Sequence, residues 1–291
     1  MNIDYREIVV ENCGKNQTIY TYLKSNGYSE NFLKNLRKQE GFIKLNGKVC
    51  YINAVVKNGD VISVNSNPNT KTCINYCNIP LDIVYEDDEV VVVNKPSGLA
   101  TMPSRSHYND NLSGAIAYRY KDNSNFVVRV INRLDKDASG LVLIAKNSLA
   151  SNFLNKPQNV KKKYFAIVCG NLQSDAIIEK NIQTVCINGK NENKRIICDS
   201  GKPAKTQVFV VKNYKDYCLV KVNIIHGRTH QIRLHLSSIN HALLGDELYG
   251  KKSDLISHTA LCLKELEFVH PTTKQIVKLS VDLPDDFKKL V

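Results

Sequence analysis

Nowhere does this chain carry an apolar run approaching the roughly 20 residues that a membrane-crossing helix needs. Its opening segment, MNIDYREIVVENCGKN, lacks the long apolar core of a secretory signal, so a cytoplasmic protein with no membrane partner is expected. Cysteines are scattered singly, 9 in all, at positions 13, 50, 73, 77, 169, 186, 198, 218 and 262. An odd count without a repeated C-x-x-C argues against a disulfide framework and against a zinc ribbon, and reduced thiols are expected. Cys73 and Cys77 are a weak metal signal on their own. Internal repeats, low-complexity tracts and clear coiled-coil heptads are also missing, which leaves a monomer as the expected state. Acidic residues are scarce, 28 Asp plus Glu against 40 Lys plus Arg, for a formal net charge of +12. That imbalance favours a polyanionic partner, because phosphates attract Lys and Arg and binding releases counterions. Apolar residues, by contrast, make up 43% of the 291, enough for one large domain or a large one plus a small one.

Residues 16–64 read as a small basic module. In QTIYTYLKSNGY, Ile19, Leu23 and their neighbours recur at helical spacing and stop at Gly27. In SENFLKNLRKQEG, Ser29 is a candidate N-cap ahead of Phe32, Leu33 and Leu36, with Gly41 closing the segment. FIKLNGKV alternates around Asn46-Gly47, a hairpin signal, and KNGD at 57–60 leads into VISV. Two helices and a tight hairpin, with Lys34, Arg37, Lys38, Lys44 and Lys48 along one edge, resemble the S4 RNA-binding domain. A polar stretch follows from residue 65, and beyond residue 80 short β-branched or aromatic runs alternate with turns. The divisions so drawn are an S4-like domain at 1–70, a linker at 71–79 and a larger domain at 80–291. The larger part is expected to be α+β with a mixed, largely antiparallel sheet, its best helices near 111–120 and 229–239.

The stretch INRLDKDASGLVLIAKN, 131–147, crowds charge in front of an apolar run. Arg133, Asp135 and Asp137 alternate, so an extended backbone would point all three the same way. DKDASG imitates the start of a calcium loop, but its twelfth position is Lys146 and LVLIA intervenes, so calcium is not expected. The plain alternative is a polar turn between two strands. Downstream, HGRTHQIRLHL at 226–236 offers Thr229 as a helix cap, with Arg228 and Arg233 flanking the start as an anion site. His226, His230 and His235 lack the H-E-x-x-H pattern, and no metal is expected.

Six blocks in order resemble the RNA pseudouridine synthases of the RluA/RluD type: NKPSGL (94–99), NRLDKDASGLVLIAK (132–146), KKYFAIVCG (162–170), GRTHQIRLHL (227–236), LLGDELYG (243–250) and ELEFVHP (265–271). The resemblance spans nearly all of 80–291 and implies a catalytic domain of the pseudouridine synthase fold, with its active site in a basic cleft. It also implies an enzyme that detaches a uracil from its ribose, turns it and rejoins it through C5, with rRNA or tRNA as the partner. Atoms and oxidation state are conserved in that reaction, so no redox cofactor is required. Asp135 stands at the place of the family's aspartate, Arg233 at that of its guanidinium partner, and Tyr164 at that of the tyrosine that stacks on the target base. Arg133 resembles the residue that fills the space left by a flipped-out nucleotide. Arg228, Lys163, Lys34, Arg37 and Lys38 are the further expected RNA contacts. Whether Asp135 attacks the sugar, attacks the base or assists proton removal is open. Asp137 is expected only to steady the loop by accepting backbone amides. The chain departs from the family in Asn132 for His, Ala138 for Thr, and Cys262 in LCL for the usual Leu-His-Ala. The competing expectation is a non-catalytic RNA-binding or ribosome-assembly protein on the same fold.

Overall fold

The computed structural model describes residues 5–37, 41–65, 74–104, 106–123, 126–187 and 190–291. Lys38 and Cys73 lie outside the described residues.

The N-terminal residues build their own small sheet, in the order Tyr5–Val9, Val61–Asn65, Ile43–Leu45, Lys48–Val49, all antiparallel. The hairpin forms at Asn46-Gly47, where both residues have positive φ, the conformation that a two-residue turn matched to strand twist requires. Two helices cover the sheet, Ile19–Ser25 and Glu30–Leu36. Thr18 and Ser29 cap them by accepting the amides of Thr21 and Phe32. Ile19, Leu23, Leu33, Leu36, Ile62 and Val64 form a core separate from the larger one. This module is anchored to the rest of the chain: Arg6 pairs with Glu89 at 3.3 Å, and Lys156 Nζ donates to the carbonyl of Asn26 at 2.9 Å. The described part of the stretch read as a linker, 74–79, packs on the larger domain. Cys77 is buried against the helix Leu112–Arg119, and its amide donates to the carbonyl of Gly114.

Ten strands form the main sheet. Eight run in the order Ala176–Glu179, Lys205–Asn213, Tyr217–Ile224, Val160–Cys169, Leu261–Val269, Ser139–Ala145, Val90–Lys95, Ile83–Glu86; Ile276–Ser280 and Arg129–Val130 pair off this path. Every pairing is antiparallel except that of Leu261–Val269 with Ser139–Ala145. The mixed, largely antiparallel α+β architecture expected from the sequence is therefore present. VVVV at 90–93 and LVLI at 141–144 read as unbroken apolar runs because both faces of these central strands are covered.

The parallel junction matters for the site, because Leu263 is in register with both Gly140 and Tyr164. Gly140 sits there at φ +108°, and a Cβ on it would collide with the backbone of Leu263. No L side chain suits that position, so Gly140→Ala should cost about 2–4 kcal/mol in chemical denaturation. Gly47→Ala, left-handed but with open space around it, should cost about 1 kcal/mol.

Candidate active site

Asp135 stands on a loop, not on a strand. Residues 131–138 are bends and turns leading into Ser139–Ala145, with the chain folding over at Lys136 and Asp137. Alternation survives only in part: Asn132 and Leu134 are buried, Arg133 is exposed, and Asp135 and Asp137 are half-buried. The loop is held by backbone-directed hydrogen bonds from the segment NKPSGLAT. Thr101 Oγ1 donates to the carbonyl of Leu134 at 2.6 Å and accepts its amide at 3.2 Å. Ser97 Oγ donates to the carbonyl of Asp137, and Gly98 N to that of Lys136. Asn132 bonds both Leu141 O and Leu143 N, so the departure at 132 is a side chain stitched to the neighbouring strand. Ala138 and Cys262 are buried and pack in the core around this junction.

Lys95 is the unforeseen member of this clamp. Its ammonium is fully buried and donates to Pro96 O and Leu99 O, both at 2.7 Å, and to Lys136 O at 3.0 Å. Burial pushes its pKa down to about 8 against the pull of the Asp137 and Asp135 charges. Among the described residues no amide donates to the Asp137 carboxylate; its carbonyl is what the loop uses, and its charge acts on Lys95.

Arg233 comes from the helix Gln231–Ser237, after strand Tyr217–Ile224. Thr229 is not the cap. His230 occupies that position in the left-handed region, φ 57°, with no side-chain capping bond. The helix start is tied down by Gln231, which accepts the amide of Arg228 and donates to Lys205 O and Thr206 Oγ1. Arg233 makes two 2.7 Å hydrogen bonds to Asp246, Nε to Oδ2 and Nη2 to Oδ1, and offers Nη1 to Asp135 Oδ2 at 3.3 Å. Burial alone would lower the guanidinium pKa; the bonds to Asp246 and the two carboxylate charges outweigh it and hold the pKa raised. Asp246 is wholly buried, and its Oδ1 also accepts the amides of Leu248 and Tyr249. It follows Gly245, at φ +72°, where a Cβ would collide with the carbonyl of His258.

His230, singled out in the sequence only to reject a metal, has Nε2 3.9 Å from Asp135 Oδ1. Its Nδ1 is 3.0 Å from the hydroxyl of Tyr249, which accepts the amide of Arg195 at 2.7 Å. Burial lowers the imidazole pKa and outweighs the opposing Asp135 charge. With the phenol donating to Nδ1, Nε2–H faces the aspartate. His235 is instead a core residue between Thr206 and Lys180 O, and His226 lies outside this cluster in a neighbouring groove.

Asp135, Arg233, His230 and Tyr164 line one cleft of about 490 Å³. Tyr164 is 5% exposed, and burial first, then the Asp135 charge, hold its pKa raised, so its ring is a protonated phenol. Arg133 is exposed at the rim and Arg228 lines the wall, its Nε donating to Pro203 O. Lys163 is not in the cleft. It is paired with Glu265 at 2.9 Å, and the cleft-lining lysine is Lys162, two residues before Tyr164 on the strand and therefore on its face. Lys34 and Arg37 are exposed on the N-terminal module, with Arg37 over the ring of Tyr20 at 4.6 Å. Asp246, His230 and Lys95 carried one sequence signal each: an acid, an imidazole and an ammonium inside otherwise apolar or motif-like blocks.

A cleft with one aspartate, one fixed guanidinium, and Arg133, Lys162 and Arg228 around them is a site suited to a polyanion such as RNA. Residues 89–238 match the family described as RNA pseudouridylate synthase, and the chain belongs to that family. It is 31% identical over 284 residues to the uncharacterized RNA pseudouridine synthase YjbO of Bacillus subtilis, covering 94% of this chain and 98% of that protein. It is 30% identical over 287 residues to ribosomal large subunit pseudouridine synthase D of Haemophilus influenzae, covering 91% and 86%. The solved structure of human RNA pseudouridylate synthase domain containing 1 superimposes with a TM-score of 0.57 at 26% identity, over 70% of this chain and 83% of that one.

Lys95 gives this isomerase a testable alkaline limit. As pH rises through about 8 the ammonium loses a proton and one of its three carbonyl bonds, loosening the Asp135 loop. Tritium release from RNA whose uridines are labelled at C5 should fall through that pH in the wild type. In Lys95→Met it should be lower but flat over the same range. Stability should move the other way: the pKa is about 8 folded against an ordinary 10.5, so the unfolded chain binds more protons in that window. This group's contribution to stability therefore rises with pH there. An unchanged alkaline limb in Lys95→Met would assign it to another group.

Proposed function

We propose that the chain converts uridines of ribosomal RNA to pseudouridine in the cytoplasm, with Asp135 as the reacting carboxylate. The observation that carries the assignment is the Asp135–Arg233 pair, in which the guanidinium is buried and the aspartate side chain is 27% exposed to an open cleft. An anion held in that way is kept ionised and aimed, yet reachable by a ribose–base junction. Asp135 is the one carboxylate among the described residues that line the cleft. Hydrolytic glycosidases use two, one of them to manage a water, so a single carboxylate fits an isomerisation from which water is kept out.

The other side chains take roles that follow from their surroundings. Tyr164, protonated and sunk in the wall, offers its ring as a stacking face for the uracil. Arg133, free at the rim, enters the stack when the uridine flips out. His230 faces the carboxylate from the other side, its Nε2 3.9 Å from Asp135 Oδ1. The N-terminal module, with Lys34 and Arg37 on its surface, acts as an S4-like RNA-holding domain, so that 1–70 binds and 80–291 catalyses. Ribosomal RNA is favoured over tRNA by the relatives named ribosomal large subunit pseudouridine synthase D in Haemophilus influenzae, Pasteurella multocida and Borreliella burgdorferi.

The test is tritium release from C5-labelled ribosomal RNA extracted from cells lacking the gene. Asp135→Asn should lower release by more than about a thousandfold while RNA affinity stays within about threefold. Full turnover by that variant would refute the assigned carboxylate. An absence of release by the wild-type protein from any ribosomal RNA, with binding intact, would favour an assembly role on the same fold.

A further inference from the structure

A second groove, of about 630 Å³, adjoins the active cleft and shares Ile131, Asn155, Lys162, Ile224 and Gly227 with it. It opens where two paired strands part. Tyr217–Ile224 stays in register with Val160–Cys169 as far as Asn223 opposite Lys163, after which the chain turns away through Ile225 and Gly227. The volume is of the size that holds a small organic ligand.

The groove holds features that its own fold leaves unused. Asn223 Oδ1 and His226 Nδ1 are buried and have no hydrogen-bond partner; among the described residues the only other such side-chain atom is Arg6 Nε. Each unmet buried polar atom costs about 1–3 kcal/mol, so two of them three residues apart need a reason. Lys162 sits on the shared wall, its pKa lowered by burial. Its neighbours Lys161 and Lys163 are neutralised by Glu267 and Glu265, each at 2.9 Å, whereas among the described residues no carboxylate pairs with Lys162. Ile225 is 57% exposed here, and Pro157, also exposed, lines the same groove. An unpaired cation beside an apolar slot with two unmet polar atoms matches the parts of one nucleotide: phosphate, ring face and base edge.

We propose that this groove is a subsite for an unpaired nucleotide adjoining the target uridine in the RNA. Its phosphate sits at Lys162, its ring against Ile225 and Pro157, and its base edge hydrogen-bonds to Asn223 and His226. This rests on the chain's action on RNA but not on ribosomal RNA being the target. Sequence choice next to the uridine is thus made by side chains that never touch the reacting atoms.

The experiment uses the full chain and total C5-tritiated RNA from cells lacking the gene, and then a short synthetic RNA around the uridine so mapped. Asn223→Ala and His226→Ala should each lower kcat/KM by about tenfold, mainly through KM, with melting temperature not lowered. Lys162→Gln should do the same and weaken the salt dependence of binding. Replacing one nucleotide beside the uridine with an abasic residue should cost wild type a similar factor and add nothing in Asn223→Ala. Unchanged KM in the Asn223 and His226 variants would overturn the subsite, as would full additivity with abasic replacement on both sides of the uridine. Release confined to the tRNA-sized fraction would overturn the ribosomal assignment and leave the subsite measurements intact.

Discussion

The site depends on a guanidinium that cannot move. Arg233 is locked by two short bonds to Asp246, a carboxylate with no solvent exposure, and only its remaining nitrogen reaches Asp135. Removing either partner of such a buried pair typically costs about 3–5 kcal/mol, because the survivor is left charged and dry. The asymmetry of the two carboxylates separates their tasks. Asp246 is saturated by Arg233 and two backbone amides and faces no solvent, whereas Asp135 receives one longer bond and keeps an open side. One residue sets the cation, and the cation sets the other.

Around that pair, the sheet works as a jig. Leu263 is in register with Gly140 and Tyr164, which brings the end of the Asp135 loop and the tyrosine wall to adjacent strands. The backbone of residues 134–137 is clamped from one side by Thr101, Ser97, Gly98 and Lys95. His230 closes the other side, held by a chain that runs from the Arg195 amide through Tyr249 to its Nδ1, with Nε2 3.9 Å from the aspartate. Its left-handed backbone is the kind of local strain that surrounding structure sustains at functional sites. A carboxylate so framed is positioned by the protein before any substrate arrives, which is what electrostatic preorganisation demands.

Much of this was legible in the sequence. Strand-rich blocks gave the mixed sheet, Asn46-Gly47 gave the hairpin of the small N-terminal sheet, and the RLD, KKYF and HQIR blocks pointed to Asp135, Tyr164 and Arg233, three residues that the fold brings into one cleft. What could not be read was which lysine faces the cleft, because Lys161, Lys162 and Lys163 look alike until cross-strand Glu267 and Glu265 are in place. Nor could Asp246 be paired with Arg233, since the bond joins two separate blocks through tertiary packing. The cap failed at Thr229 because Gln231 and a left-handed His230 do that work instead. An extended backbone at 133–137 failed because the NKPSGL segment draws the loop into a turn.

The central claim is that Asp246 acts on the reaction through Arg233 without touching substrate. The most direct measurement is the single-turnover rate of Asp246→Asn at saturating RNA, at a temperature where circular dichroism shows the variant folded. The account expects a rate about a hundredfold below wild type, since a misaimed guanidinium misplaces Asp135. A folded variant turning over at the wild-type rate would contradict it.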